Sequence, residues 1–149
     1  MARERENGPG PEHRRPPGAS DLEVEAAGKM TEALETLERA RGHLLSFHQL
    51  MGSTDLKLDE VLELLDRAGH PRLRTALEED LVGRNVLDGR WTFQLIDEFE
   101  DGYHECILEH ERAIRDALTG GRRHVFEAEM KEERRTHGRH GHEARPATN

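Results

Sequence analysis

Residues 91–118 read WTFQLIDEFEDGYHECILEHERAIRDAL and decide the fold class of this chain. The stretch contains the only Trp, the only Tyr and the only Cys of the sequence, and two of its four Phe. Its apolar side chains recur three and four residues apart, as in an amphipathic helix. They are Ile96, Phe99, Tyr103, Cys106, Ile107, Ile114 and Ala117. Because this spacing continues across Gly102, we predict one uninterrupted central helix.

A second long helix is predicted upstream, from Asp21 or Met30 to Met51. Its apolar face repeats at the same spacing and consists of Met30, Ala33, Leu34, Leu37, Ala40, Leu44, Phe47 and Met51. Gly52 follows this run, and glycine ends many helices because it adopts the left-handed conformation without strain. The Ser-Thr-Asp run at 53–55 consists of preferred N-cap residues, so we predict that a new helix begins after Gly52.

Two short helices are predicted between the long ones, at about 56–68 and 71–82. Gly69 lies between them and suits a left-handed C-terminal cap. Pro71 suits the first turn of the following helix, where its missing N–H is not needed. These two helices form a predicted αα-hairpin, and the polar loop 83–90 connects it to the central helix.

The predicted fold is therefore all-α, a small helical bundle of two long helices plus a short αα-hairpin over residues 21–121. Residues 122–136 are predicted to form a weak, highly charged C-terminal helix. Residues 1–20 are rich in Pro, Gly, Arg and Glu, and residues 137–149 are rich in His, Gly and Arg. Both ends bury too little apolar surface to offset the entropy of ordering, so we predict disordered N- and C-terminal tails.

Acidic charge is concentrated in the helical part. Residues 21–119 carry 23 acidic and 11 basic side chains, a net −12, while the whole chain carries −9 with histidines neutral. Such a domain repels phosphate backbones and anionic lipid, so neither nucleic acid nor a membrane is an expected partner. A single Cys forms no internal disulfide, and no run approaches the roughly 20 apolar residues of a membrane helix. We predict a soluble, cytoplasmic protein.

Four residues are candidates for a ligand site. At about 100° per residue, His110 lies on the apolar stripe of the central helix near Tyr103, and Cys106 lies one turn before it. His48 lies on the apolar side of the upstream helix, so packing of the two helices would bring all four together. The alternative is that both histidines are ordinary core residues with hydrogen-bonded rings.

No other pattern points to catalysis or a bound metal. The Glu-x-x-His pairs of helical di-iron proteins are missing, since Ile107 stands three residues before His110. The tail histidines His137, His140 and His142 lie among glycines that deny a fixed geometry. We therefore predict no catalytic residues, no metal and no cofactor.

A candidate interaction surface surrounds the entry to the central helix. It consists of Arg84, Asn85, Arg90, Trp91 and Gln94. Trp and Arg are enriched among the residues that dominate binding energy at protein interfaces. In the alternative interpretation, Trp91 covers the end of the core and the arginines pair with nearby acids.

The segments GRNVLDGRWTFQLIDEFEDGY at 83–103 and GRRHVF at 121–126 resemble a family of small helical bacterial proteins that are uncharacterised. The resemblance covers roughly residues 30–135 and implies a helical domain with similar bounds. It implies no activity, cofactor or partner.

These observations favour a non-enzymatic interaction or structural protein that binds another protein, with a homodimer as one form. The apolar rows on the short helices motivate this prediction, since one small bundle covers them incompletely. The alternative hypothesis is a small-molecule, haem or metal-binding bundle with its ligand near Tyr103, Cys106 and His110.

Overall fold

The computed structural model of the chain describes residues 8–145, and the fold of this part is all-α, without a strand. Its regular elements are a short 3-10 turn, five α-helices and one π-helical turn. They are Pro11–His13, α1 (Asp21–Arg67), α2 (Pro71–Asp80), α3 (Thr92–Phe99), the π turn Glu100–His104, α4 (Glu105–Thr119) and α5 (Val125–Arg134). The disorder predicted for residues 1–7 and 146–149 lies outside the described residues.

Helix α1 continues through Gly52, so the predicted break at that residue is wrong. The residues expected to cap a new helix have other partners. The Thr54 hydroxyl donates to the carbonyl of Leu50 at 2.8 Å, a bond within the helix. The Asp55 carboxylate accepts the backbone N–H of Gly83 at 2.8 Å. With both polar side chains satisfied this way, the backbone stays helical to Arg67 and the first short helix of the predicted hairpin belongs to α1.

Other helix ends follow the glycine and capping signals. Gly69 has φ 77° after α1, and Gly120 has φ 60° after α4, so both adopt the left-handed conformation. At the start of α1, Ser20 and Glu23 form a reciprocal capping box. The Glu23 carboxylate accepts the Ser20 N–H at 2.7 Å, and the Glu23 N–H donates to the Ser20 hydroxyl at 3.2 Å.

The central helix contains a π turn, which corrects the predicted uninterrupted helical phase. A π turn inserts one residue, so every later side chain moves one position around the helix axis. Tyr103, Cys106 and His110 were predicted to face inward, and all three are exposed. The partly or fully buried positions are His104, Ile107, Leu108, Glu111, Ile114, Arg115, Leu118 and Thr119, of which Ile107 and Ile114 belong to the predicted apolar face.

The chain divides into two compact units. Unit 1 comprises the part up to Thr36 and the part from Cys106 onward. Its buried apolar side chains are Val24, Ala27 and Val125, contributed by α1 and α5. Buried Glu111 of α4 accepts hydrogen bonds from Arg115 at 3.0 Å and from Thr31 at 3.4 Å, so its charge is compensated.

The N-terminal segment of unit 1 makes defined contacts although it has little regular structure. Arg15 donates two hydrogen bonds of 2.9 Å to the Glu129 carboxylate of α5 and a third to Asp21. These bonds raise the pKa of Arg15, chiefly through Glu129. Arg122 donates to the carbonyl of Arg14 at 2.8 Å. These contacts involve part of the segment predicted to be disordered, and the disorder predicted for residues 8–20 and 137–145 stays a prediction.

Unit 2 is the continuous segment Leu37–Glu105. In it, the part of α1 from Leu37 onward runs antiparallel to α3 and the π turn. Polar pairs mark this direction along both elements, and they are Glu38 with His104, Arg41 with Glu100, and His48 with Thr92. The apolar residues classed as buried in this unit are Leu62 of α1 and Ile96 of α3.

Candidate interaction surface

Exposed apolar side chains are concentrated in unit 2. Among the described residues, fourteen large apolar side chains are exposed, and twelve of them lie between Leu37 and Glu105. They are Phe47, Leu50, Leu56, Val61, Leu64, Leu73, Leu81, Val86, Leu87, Trp91, Phe93 and Tyr103. Where such side chains lie together in one patch, they are typical of surfaces that bind another protein.

Five of these side chains belong to one connection, which we call the aromatic loop (Leu81–Phe93). Its course is fixed by backbone geometry, because Gly83 and Gly89 have φ of 72° and 69°. The backbone N–H of Arg90 donates to the carbonyl of Leu87 at 3.1 Å and closes the Asp-Gly turn between them. The Gln94 side chain then accepts the N–H of Trp91 at 2.9 Å, which fixes the start of α3.

The aromatic rings of this loop are open to solvent. Trp91 is 57% exposed, so it does not cover the end of the core as the alternative interpretation expected. The centroid of its ring lies 5.2 Å from that of Phe93, and the two ring planes are tilted by 53°, within the distance range of aromatic pairs. The two rings therefore form a small preorganised apolar patch.

The five residues predicted as an interaction surface are all exposed, and all belong to unit 2. Arg84 pairs with Asp80 at 3.0 Å, and Arg90 pairs with Glu98. Gln94 has the capping role given above, and Asn85 is exposed. Their role in binding stays a prediction, to which the structure adds the apolar neighbours Val86, Leu87 and Phe93.

A second apolar feature was missed by the sequence analysis, because the predicted break at Gly52 divides it. We call it the α1 row, and it consists of Phe47, Leu50, Thr54, Lys57, Val61 and Leu64, all exposed. Its members alternate three and four residues apart, which is the heptad spacing of a coiled-coil seam. The sequence indicates this row only when residues 47–64 are treated as one helix, because the heptad spacing then continues through Gly52.

The four predicted ligand residues divide between the units. Tyr103 is 65% exposed and lies in unit 2, as does His48. Cys106 and His110 are exposed residues of unit 1. His48 is partly buried, and its Nδ1 lies 2.6 Å from the Thr92 hydroxyl, so that ring nitrogen already has a hydrogen-bond partner within the chain.

The described residues 8–145 contain no group of three or more His, Cys, Asp or Glu side chains arranged to hold a metal ion. A cavity of about 10 Å³ lies in unit 1 between α1, α4 and α5, with room for roughly one water molecule. In the tail, the His142 ring accepts the N–H of Thr136 at 3.0 Å.

Charged contacts hold the framework under the candidate surface. Arg74 of α2 donates to Glu78 and, at 2.8 Å, to Asp66 of α1, which ties α2 to the end of α1. These bonds raise the pKa of Arg74, with Glu78 as the larger cause. Unit 2 carries 15 acidic and eight basic side chains, a net −7, so the unit that exposes these apolar groups is acidic.

Comparisons with known proteins add no relationship, since no protein family, curated protein or solved structure matches the chain. The resemblance noted for residues 83–103 therefore stays a prediction. Over the described part of the chain, no helix combines the length and apolar character needed to cross a membrane.

Proposed function

We propose that this chain is a non-enzymatic protein-interaction module whose binding surface is in unit 2. The observation that carries the proposal is the imbalance in that unit, where twelve large apolar side chains are exposed and Leu62 and Ile96 are the apolar residues classed as buried. Full burial of one such side chain contributes about 1.5–3 kcal/mol. A partner that covers even part of this surface gains substantial free energy.

The aromatic loop is the proposed centre of the binding surface. Trp91 and Phe93 are exposed and in contact, and Arg84 and Arg90 lie in the same connection. Aromatic and arginine side chains dominate measured binding energies when they enter a desolvated interface. The surrounding acidic residues favour a partner with basic groups at its rim.

Several finer expectations belong to the same proposal. The two long helices are proposed to pack antiparallel, as in a helical bundle. The protein is proposed to be soluble and cytoplasmic. Its net negative charge supports a protein partner over nucleic acid or a lipid surface.

Affinity capture with the tagged full-length chain tests the proposal. We expect a protein retained in stoichiometric amount by the wild type and lost from both Trp91→Ala and Phe93→Ala. Leu22→Ala is the matched control, because Leu22 is 77% exposed but lies in unit 1. Circular dichroism verifies that all three variants are folded. Identical protein sets for wild type and both loop variants would contradict the proposal.

The alternative, a small-molecule, haem or metal-binding bundle near Tyr103, Cys106 and His110, has weaker support. All three side chains are exposed, whereas ligand sites bury most of the ligand among apolar groups. An absorption spectrum and elemental analysis of protein purified from its native cells distinguish the two functions.

A further inference from the structure

Helix α1 has two different sides within unit 2. Its contacts with the rest of the unit include four positions seven residues apart, which are Arg41, His48, Asp55 and the buried Leu62. Glu38 and Asp66 also contact the rest of the unit. At about 100° per residue, the α1 row is centred about 140° away from these positions around the helix axis. The row is therefore a largely apolar seam on a side of α1 that faces away from these contacts, and its Leu50 and Leu64 are 65% and 58% exposed.

The order of residues along the α1 row is symmetric. Two apolar residues, Phe47 and Leu50, come first, then Thr54 and Lys57, then two apolar residues, Val61 and Leu64. The spacing of three, four, three, four and three residues reads the same in both directions. A twofold axis through the middle of the row would superpose apolar on apolar positions and polar on polar positions.

We infer that the α1 row is a self-pairing surface, on which the same row of a second copy packs antiparallel. A twofold interface uses the same patch on both subunits, so that residue i contacts j and j contacts i. Here Phe47 faces Leu64 of the partner subunit and Leu50 faces Val61 of the partner subunit. The inference goes beyond the proposed function, because it names a second surface and its occupant.

The charge at the centre of the row favours the antiparallel direction, in which the two Lys57 positions are offset by three residue steps, or about 4.5 Å along the axis. In a parallel pair, Lys57 would face its own copy across the seam, and two close ammonium groups without compensation are destabilising. In the antiparallel pair, Lys57 faces Thr54 of the partner subunit, whose hydroxyl can accept its hydrogen bond. The Lys57 ammonium already bonds a hydroxyl within its own chain, that of Ser53 at 3.0 Å.

The half-buried side chains beside the row extend the contact. Met51, Leu58 and Leu65 lie between the row and the packed side of α1, and each is partly exposed. The seam from Phe47 to Leu64 covers 17 residue steps, or about 25 Å of helix. This length and width fit a two-helix contact of modest size, so we expect a reversible dimer at micromolar concentration.

Distances between spin labels on the two copies test this inference. The exposed native Cys106 is replaced by Ser, and a label is attached at Leu56→Cys or at Gly42→Cys in the full-length chain. Leu56 is exposed, and no heavy atom lies within 4 Å of a Cβ added at Gly42. Circular dichroism checks that both labelled chains retain their helices.

An antiparallel pair centred between Thr54 and Lys57 brings the two labels at 56 to almost the same height. It separates the labels at 42 by 27 residue steps, or about 40 Å along the axis. We therefore expect a short distance at 56 and a distance beyond about 40 Å at 42. Equal short distances at both positions would show a parallel pair, and the absence of coupling at both would show no pair. Either result overturns the inference, while the capture experiment on the aromatic loop tests the proposed function separately.

Discussion

Gly28 allows α5 to approach α1 closely within unit 1. A Cβ added at Gly28 would lie 2.8 Å from the Cβ and 2.9 Å from the Cγ of Phe126. Gly42, in the same helix, has no heavy atom within 4 Å of an added Cβ. Replacement of an exposed helical glycine by alanine normally stabilises by about 1 kcal/mol.

We expect Gly42→Ala to raise the free energy of unfolding by about 1 kcal/mol. Gly28→Ala should lower it by roughly 1–2 kcal/mol, because the packed ring and its helix must shift. Urea unfolding followed by circular dichroism measures both variants. Equal stabilisation by the two substitutions would show that α5 does not pack against Gly28.

Glu23 makes the stability of the start of α1 depend on pH. Hydrogen bonds from the backbone N–H of Ser20 and then from its hydroxyl lower the pKa of Glu23 below its ordinary 4.5. A carboxylate whose pKa is lower in the folded state stabilises that state fully above pH 4.5, and the stabilisation disappears as the pH falls through the lowered value.

We expect Ser20→Ala to lower the melting temperature at pH 7, because the capping box is lost. The difference between variant and wild type should shrink as the pH falls below 4.5 and through the lowered pKa of Glu23, because Glu23 becomes protonated in both. Comparing the two proteins at each pH cancels the titration of the other carboxylates. A difference independent of pH would contradict the role given to Glu23.

Cys106 reports the helical phase after the π turn. It was predicted to face the core, and it is exposed instead. The sequence contained one clue, since Ile107, Leu108, Ile114 and Leu118 form an apolar row in the observed phase. This row is hard to recognise in the sequence because two members of the same face, His104 and Glu111, are polar. The π turn itself inserts a single residue, and the only sequence feature associated with it is Gly102.

The thiol of Cys106 should react with a thiol-specific reagent in the folded protein at nearly the rate found in denaturant. The expected reaction is complete without unfolding, because an exposed side chain needs no opening of the structure. A thiol that reacts only after the protein unfolds would show that Cys106 is buried, as an uninterrupted α-helix predicts.

At the scale of elements, the composition and the 3.6-residue periodicity predict an all-α chain correctly. The stops at Gly69 and Gly120 were also predictable, because each glycine is followed by a turn or a proline. Gly52 is likewise a glycine at the end of an apolar run, but the helix continues through it. Its followers Thr54 and Asp55 could cap a new helix or bond elsewhere, and the choice depends on Gly83, 28 residues away from Asp55.

Substitution of the two glycines distinguishes a continuous α1 from two helices. Gly52→Ala should raise the free energy of unfolding by about 1 kcal/mol, since the backbone is helical there and no atom is nearby. Gly69→Ala should lower it, because Gly69 has φ 77° and alanine is strained in that region. Chemical denaturation measures both, and destabilisation by Gly52→Ala would indicate a helix end at that residue.

At the scale of the whole molecule, the two units differ in how far they bury their apolar side chains. Unit 1 buries Val24, Ala27 and Val125, while unit 2 leaves twelve large apolar side chains exposed. The predicted surface around Trp91 is exposed as expected, whereas the α1 row needed the uninterrupted helix to become visible. Both features fit a chain whose second unit is completed by another protein.

The two surfaces of unit 2, the aromatic loop and the α1 row, are proposed to bind different partners. Pairing through the α1 row would place two aromatic loops in one assembly, and a dimeric binder gains avidity for a partner with two sites. The occupants of the two surfaces can be separated experimentally, because the α1 row and the aromatic loop share no residue.

Sedimentation equilibrium of the full-length chain, together with two matched variants, tests the central claim most directly. Leu50 and Leu56 lie on the same helix and are 65% and 70% exposed, but only Leu50 belongs to the α1 row. We predict twice the chain mass at micromolar concentration for the wild type and for Leu56→Glu, and the single-chain mass for Leu50→Glu. A single-chain mass for the wild type, or an unchanged dimer in Leu50→Glu, would contradict self-pairing through α1.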